Sequence, residues 1–353
     1  MGKLLTIVIP TYNMEKFLHT CLDSLLIDKG LEQLEVLVVN DGSKDKSSVI
    51  AHEYETSHPE SFHVIDKENG NYGSCINRGL KEATGKYIKI LDADDHFDKP
   101  SLRLFLQQLS TTNADLVLTD YVIFGDNDFS KKRYGFDFPT GQELRFKEII
   151  QNDAFKISLQ MHNVAYRRDI FRQFDYHQAE DISYTDTQWV FTPMAFVDSV
   201  IYFSIPLYYY LVGRAGQTMA PEQQRRSASH YIVLAKTMLN DYDTIIRNSE
   251  QVKVFLDFRL ARLMKYVYRV FLAEWEGIDL SELISIDEQI RVNHPALYEE
   301  TGRRTMGPFI RIRYVNYWRR HNHSKQPHLF YVIFNTYNRT LNLAKQIFHI
   351  KEL

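Results

Sequence analysis

Hydrophobic and polar positions switch between two periods through the first third of the chain. Leu4-Leu5-Thr6-Ile7-Val8-Ile9 is β-branched and nearly all apolar, the pattern of a strand covered on both faces, and Pro10 stops it. From Met14 to Leu26, Phe17, Leu18, Cys21, Leu22, Leu25 and Leu26 recur at helical spacing. The alternation continues with a strand at Val36–Val39, a helix at Ser47–His58 and a short strand at His63–Ile65. A glycine-rich turn, Gly70–Gly73, leads to a helix at Ser74–Ala83. A strand at Tyr87–Leu91, a helix at Pro100–Leu109 and a strand at Leu116–Thr119 follow. Such alternation predicts right-handed βαβ units and an α/β fold, Rossmann-like, with a mainly parallel sheet covered by helices on both faces.

Beyond residue 120 the alternation fades. Gly125–Gly141 reads as a polar and aromatic loop, Leu144–Asn152 as a helix, and Val164-Ala165-Tyr166 as a short strand turning into a helix. Val200–Leu211, rich in tyrosine, reads as a strand. From about Pro221 the pattern is helical. Tyr231, Leu234, Met238 and Tyr242 form one apolar stripe; Phe255, Leu256, Leu260, Leu263 and Met264 begin another. The expected organisation is residues 1–120 and 121–220 as two halves of one α/β domain, then a helical domain over 221–353.

Composition narrows the class. A chain of 353 residues that is 44% apolar can bury a sizeable core, and its net charge of −3 gives no sign of nucleic-acid binding. Two cysteines, Cys21 and Cys75, sit in helix-like stretches and read as buried thiols of a reducing compartment. The N-terminus enters a strand without an apolar leader, and no apolar run is long enough to cross a membrane. The expectation is a cytoplasmic protein, soluble or peripheral to the inner face of the membrane.

The chemistry concentrates at strand ends, where parallel sheets bind ligands. Tyr87–Leu91 runs into Asp92-Ala93-Asp94-Asp95, three carboxylates within four residues. Like charges this close repel unless a cation neutralises them, and oxygen ligands suit Mg²⁺ or Mn²⁺. The topology brings this cluster together with Pro10-Thr11-Tyr12-Asn13 and Asn40-Asp41-Gly42-Ser43. A ring, a lone acid and an acid cluster in one crevice suit a nucleoside diphosphate. Tyr12 would stack on the base, Asp41 would accept from a base N–H, and the metal would hold the diphosphate. Neither GxGxxG after the first strand nor GxxxxGK[ST] is present, which disfavours dinucleotide dehydrogenases and P-loop enzymes.

Five segments in this order carry a family likeness: Ile7-Val8-Ile9-Pro10-Thr11-Tyr12-Asn13, Val38-Val39-Asn40-Asp41-Gly42-Ser43, Glu68-Asn69-Gly70 with Asn77-Arg78-Gly79, Ala83-Thr84-Gly85-Lys86-Tyr87, and Leu91-Asp92-Ala93-Asp94-Asp95. Residues 4 to about 120 resemble the nucleotide-sugar-binding half of a bacterial family 2 glycosyltransferase with the GT-A fold. The resemblance implies an inverting transferase that uses a nucleoside diphosphate sugar, most often a UDP-sugar, with Mn²⁺ or Mg²⁺. It implies donor contacts from Pro10, Tyr12, Asn13, Asp41, Asn69, Gly70, Arg78, Asp92, Ala93 and Asp94. Asp94 is the expected direct metal ligand, Asp92 lies towards the ribose, and Asp95 is either a supporting group or a further ligand. The loop Gly213–Thr218 resembles the segment that closes over the diphosphate, with Arg214 as its phosphate clamp.

A transferase of this class needs a carboxylate to take the acceptor's proton. The resemblance places it in an acidic pair opening a helix. Asp186, ahead of Thr187-Gln188-Trp189-Val190-Phe191, fits the helix, with Thr185 where Glu is usual; Glu180-Asp181 has the literal dipeptide. Asp186 is the preferred base. His162, Asn163 and Tyr184 are candidate acceptor contacts, the acceptor being a glycan or lipid-linked sugar of surface-polysaccharide or glycoprotein synthesis.

Residues 303–325 hold seven Lys or Arg and no acid, interleaved with Phe309, Ile310, Tyr314, Tyr317 and Trp318. Basic charge among large aromatics suits an anionic membrane surface, with an Arg-rich helix face or an oligomer contact as the alternatives. For the whole protein, a nucleotidyltransferase and a non-catalytic sugar-nucleotide-binding protein are the rival readings.

Overall fold

β-Branched and aliphatic runs in the first half of the chain form strands because both faces are covered, so every residue of the second strand is buried. The computed structural model describes residues 2–125, 131–214, 227–246, 250–274, 277–303, 305, 311–324 and 328–347. In chain order the strands are β1 (Leu5–Thr11), β2 (Leu34–Asn40), β3 (Phe62–Asp66), β4 (Tyr87–Ile90), β5 (His96–Phe97), β6 (Leu116–Gly125), β7 (Lys132–Tyr134), β8 (Glu143–Arg145), β9 (Val164–Arg167) and β10 (Ser199–Val212). Helices α1 (Leu18–Asp23), α2 (Ser47–Ser57), α3 (Asn71–Glu82), α4 (Lys99–Leu109), α5 (Phe146–Ile149), α6 (Asp153–Ser158) and α7 (Asp186–Trp189) lie between them.

The sheet order is β3-β2-β1-β4-β9-β6-β10-β5, with β7 on β6 and β8 on β10. β1, β2, β3 and β4 are mutually parallel, as the alternation predicts. β9 inserts antiparallel between β4 and β6, so the whole sheet is mixed. Register fixes the crevice: Thr11 lies opposite Asn40, and Val8 opposite Ile90. The ends of β1, β2 and β4 therefore open on the same edge. α3 is pressed onto β1, where a Cβ at Gly79 would come within 2.4 Å of a Val8 methyl.

Several elements differ from the sequence expectation: β1 runs on through Pro10 to Thr11, and the short strands β5 and β7 lie in stretches not read as strands. The helix expected over Met14–Leu26 is only Leu18–Asp23, flanked by turns. α3 starts at Asn71, inside the expected glycine turn, because Asn71 takes the left-handed φ of 67° and Gly73 is needed for packing rather than turning. The expected helix Leu144–Asn152 is split: Glu143–Arg145 pairs with β10, then α5 and α6 follow. Cys21 and Cys75 are buried free thiols.

The chain divides into two compact units: Met1–Ala220 with Asn240–Leu256, and Pro221–Leu239 with Asp257–Leu353. The helical region expected from 221 onwards thus returns a segment, residues 240–256, to the α/β unit. There Phe255 packs on Phe146 at 5.6 Å between ring centroids.

The second unit is helical, and one residue of its basic stretch, Arg319, turns inward. In the helix Tyr314–Arg320, Tyr314, Val315 and Trp318 are buried. Arg319 points inward, with 6% of its side chain exposed. Its Nε donates to buried Asp287 Oδ1 at 2.9 Å, and Nη1 donates to the Tyr298 carbonyl at 2.7 Å. His323 Nε2 lies 2.9 Å from Asp287 Oδ2. A buried carboxylate requires such partners, and this stretch supplies them. Arg311, Arg313 and Arg320 remain exposed. Arg304, Phe309, Ile310 and Lys325 lie outside the described residues. Among the described residues no helix is long and apolar enough to cross a membrane.

Candidate active site

The crevice is built from loops that hydrogen-bond to one another. After β1, Tyr12 is 46% exposed and Asn13 adopts the left-handed φ of 54° that Asn tolerates. Asn13 N–H donates to Ser43 Oγ at 3.0 Å, and Asn13 Oδ1 accepts from Lys44 N at 2.7 Å. Pro10 is half-buried beside them. After β2, Asp41 is 2% exposed, and its N–H donates to the Thr11 carbonyl at 2.9 Å. Its Oδ1 accepts from Lys67 Nζ at 2.5 Å and from Gly70 N at 3.0 Å, while Asn69 Nδ2 donates to its carbonyl at 2.9 Å. Asp41, Asn69 and Gly70 thus form one wall. Arg78 does not join it: it is exposed on α3 and pairs with Glu82 at 3.0 Å.

The three acids after β4 separate by partner. Tyr72 Oη, on α3, donates to Asp92 Oδ1 at 2.9 Å. Burial and the neighbouring Asp94 carboxylate push Asp92 up to about 7. Asp94 accepts from Arg214 Nε at 2.6 Å. Asp95 is buried, and both its oxygens serve β10: Oδ2 accepts from Tyr208 Oη at 2.6 Å and Oδ1 from Leu211 N at 2.8 Å. Burial, then Asp92 and Asp94, raise it well above the usual carboxylate range. Asp95 therefore anchors the turn that β5 continues, pairing His96 with Tyr209. Ala93 between them is buried.

His162 faces this cluster. Its ring stacks on Tyr210 at 4.5 Å and meets Tyr208 edge-on at 4.6 Å. Its Nδ1 is buried without a hydrogen-bond partner, and burial with nearby Lys89 pushes the imidazole down to about 3. A neutral ring with an unsatisfied nitrogen is the form that ligates metal. Asp92, Asp95 and His162 each bring a ligand atom within 4.8 Å of the others. Crowded carboxylates plus that orphaned nitrogen fit a divalent cation.

Asn163 is not placed as an acceptor contact. It is 1% exposed; its Nδ2 donates to the Thr119 carbonyl at 2.8 Å and its Oδ1 accepts from Gln160 N at 3.1 Å. Its amide is committed to the backbone. Tyr184 is half-buried and strained, with a φ of 70° that bulky residues rarely take.

Asp186 is the first residue of α7, and its charge acts on Asp92, Tyr72 and Tyr210, which puts it on the crevice side. Of the other two acids, Glu180 accepts from Asn77 Nδ2 at 2.8 Å on the α3 surface, and Asp181 is exposed, its N–H donating to the Gly70 carbonyl at 2.9 Å.

Sequence reasoning missed Tyr72, Lys67, Tyr208 and Lys89. Lys89 is fully buried on β4, donating to the carbonyls of His162 at 2.7 Å and Val164 at 3.1 Å, and burial pushes it down to about 7. A lone lysine inside an apolar strand was the available signal. Tyr72, Lys67 and Tyr208 carried none, since each reads as an ordinary helix, loop or strand residue.

With the geometry in place, comparison with known proteins decides the family. Residues 6–174 match the family model described as glycosyl transferase family 2. Over these residues the chain is a family 2 glycosyltransferase domain. The chain is 35% identical over 117 residues to the uncharacterized glycosyltransferase EpsJ of Bacillus subtilis (strain 168), covering 33% of each protein. It is 28% identical over 212 residues to the putative glycosyltransferase EpsH of the same organism, covering 59% of this chain and 60% of that one. It therefore spans less than two thirds of either relative. The crystal structure of S. aureus TarS 1–349 superposes with a TM-score of 0.62 at 19% identity, covering 90% of this chain and 89% of that one. The same protein in complex with UDP-GlcNAc gives 0.56 at 20% identity, covering 85% and 80%. These likenesses establish the GT-A-like fold of the chain, with an additional helical C-terminal region.

Proposed function

We propose that the chain transfers a sugar, with inversion, from a UDP-sugar to a hydroxyl of a glycan, glycolipid or glycoprotein acceptor, in the presence of Mn²⁺ or Mg²⁺. One observation carries the reading: the ends of β1, β2 and β4 open on one edge, where Asp92, Asp95 and His162 each bring a ligand atom within 4.8 Å of the others. A carboxylate apart from that cluster is what proton removal beside a bound diphosphate requires, and Asp186, which opens α7, is the one this reading assigns. Support comes from the family 2 domain and from TarS, whose structure was solved with UDP-GlcNAc.

In this reading Tyr12 stacks on the base and Asp41 accepts from a base N–H. Asp94, Asp92, Asp95 and His162 are the residues that would hold the cation, which when bound stabilises charge on the departing diphosphate. Arg214 turns from Asp94 to the diphosphate oxygens, a charge-assisted contact. Asp186 takes the acceptor's hydroxyl proton as the new C–O bond forms at the anomeric carbon and the bond to the diphosphate breaks. Among the described residues of 303–325, peripheral membrane contact would rest on Arg303, Arg311, Arg313 and Arg320.

The test is thermal stability of the chain with UDP, UDP-glucose and UDP-GlcNAc, each with and without Mn²⁺, followed by UDP release. A ligand that binds only the folded state raises the midpoint with its occupancy. A shift with a UDP-sugar that grows with Mn²⁺ supports the reading; no shift with any of them rejects it.

A further inference from the structure

The segment that delivers Asp186 is held from a distance by uncharged, buried side chains. Gln178, Thr185 and Gln188 are each 0% exposed. Asn77 on α3 grips Gln178 reciprocally: Asn77 Nδ2 donates to the Gln178 carbonyl at 2.8 Å, and Gln178 N donates to Asn77 Oδ1 at 2.8 Å. Gln178 Nε2 then donates to Thr185 Oγ1 at 2.9 Å. Gln188, two residues beyond Asp186, accepts from Ala179 N at 2.9 Å through Oε1, and its Nε2 donates to the His177 carbonyl at 3.1 Å and to Asp241 Oδ2 at 3.0 Å. The fit against α3 leaves no slack, since a Cβ at Gly73 would stand 1.9 Å from the Ala179 carbonyl oxygen.

Apolar residues would bury this segment as well, and buried amides cost stability unless every partner is in place. What directed bonds add is geometry. Tyr184, between Gln178 and Asp186 in sequence, holds a φ of 70°, a strain that persists only where surrounding contacts over-determine the backbone. The same helix carries Tyr72, whose hydroxyl binds Asp92. α3 thus registers the donor-side carboxylate and the base segment against one rigid body.

We propose that Asn77, Gln178 and Thr185 are positioning residues for Asp186, setting its carboxylate over the acceptor hydroxyl. The inference rests on Asp186 being the base. Thr185→Val removes the hydroxyl at constant shape, and Thr185→Ser restores it. Both are compared with wild type for UDP binding by calorimetry and for UDP release from UDP-GlcNAc with water as acceptor. Misplacement of a reacting group costs about tenfold to a hundredfold in rate. Thr185→Val should lose that much kcat while its UDP affinity stays within about twofold, and Thr185→Ser should recover most of the loss. In an Asp186→Asn background Thr185→Val should cause no further fall, because residues acting as a unit are non-additive.

Wild-type kcat in Thr185→Val overturns the proposal. So does a loss of UDP affinity equal to the loss of kcat, which marks a folding defect, and so do additive losses in the double variant. Full turnover in Asp186→Asn alone rejects the base itself, an outcome distinct from those three.

Discussion

Arg214 Nε donates to Asp94 Oδ2 at 2.6 Å, with 13% of each side chain exposed. The pair occupies the acid on which the sequence places the metal. The guanidinium also lies 5.1 Å from the centre of the Phe17 ring, so the arginine is seated rather than swinging in solvent. In the proposed reaction Arg214 moves to the diphosphate, and Asp94 would then be free to help hold the metal.

Arg214→Gln should separate these roles. It relieves the competition at Asp94, so Mn²⁺ alone should bind more tightly than to wild type. It also removes a charge-assisted donor, and UDP should bind about tenfold more weakly, the effect of roughly 1.4 kcal/mol. Calorimetric titration of Mn²⁺ and of UDP checks both directions. Unchanged UDP affinity would remove Arg214 from the donor site.

Tyr208→Phe should destabilise the fold by about 1–3 kcal/mol, the usual cost of leaving a buried acceptor without its donor. The hydroxyl donates to Asp95 at 2.6 Å in a buried setting, leaving that carboxylate short of a donor when it is lost. Denaturant unfolding measures it. A loss below a few tenths of a kcal/mol would show that Leu211 N alone suffices to hold Asp95.

One pH effect lies away from the crevice. His52 is raised above its ordinary value by its hydrogen bond to Asp66 and then by that to Glu55. A raised histidine contributes stability that is full below its unfolded value near 6.5 and fades as pH rises through the folded one. Wild type should therefore lose a small margin of thermal stability over His52→Gln between pH 6 and pH 9, as the site is largely exposed. Scanning both proteins across that range tests it; a margin that grows with pH would contradict the sign.

The sequence was most legible where burial on both faces leaves only one pattern. β1 to β4 and the acids at their ends read directly from apolar runs that stop at Pro10, Asn40 and Asp92. The second half was harder, because β9 enters antiparallel and β5 has only two residues, too short for any period. Candidate residues were found by type and spacing, yet partners decided their roles. Asn163 and Arg319 look like surface ligands in the sequence and are bound internally in the fold. The sequence leaves Asp95 open between supporting group and ligand, and Tyr208, 113 residues away, engages it from β10. Long-range partners of that kind leave no local trace.

The proposed transfer depends on Asp186 removing the acceptor's proton. Asp186→Asn keeps size and shape and abolishes the base. It should bind UDP as wild type does and release UDP from UDP-GlcNAc at least about a hundredfold more slowly, the range of general-base catalysis. Glu180→Gln should leave turnover unchanged. Turnover retained in Asp186→Asn and lost in Glu180→Gln would make Glu180 the base instead.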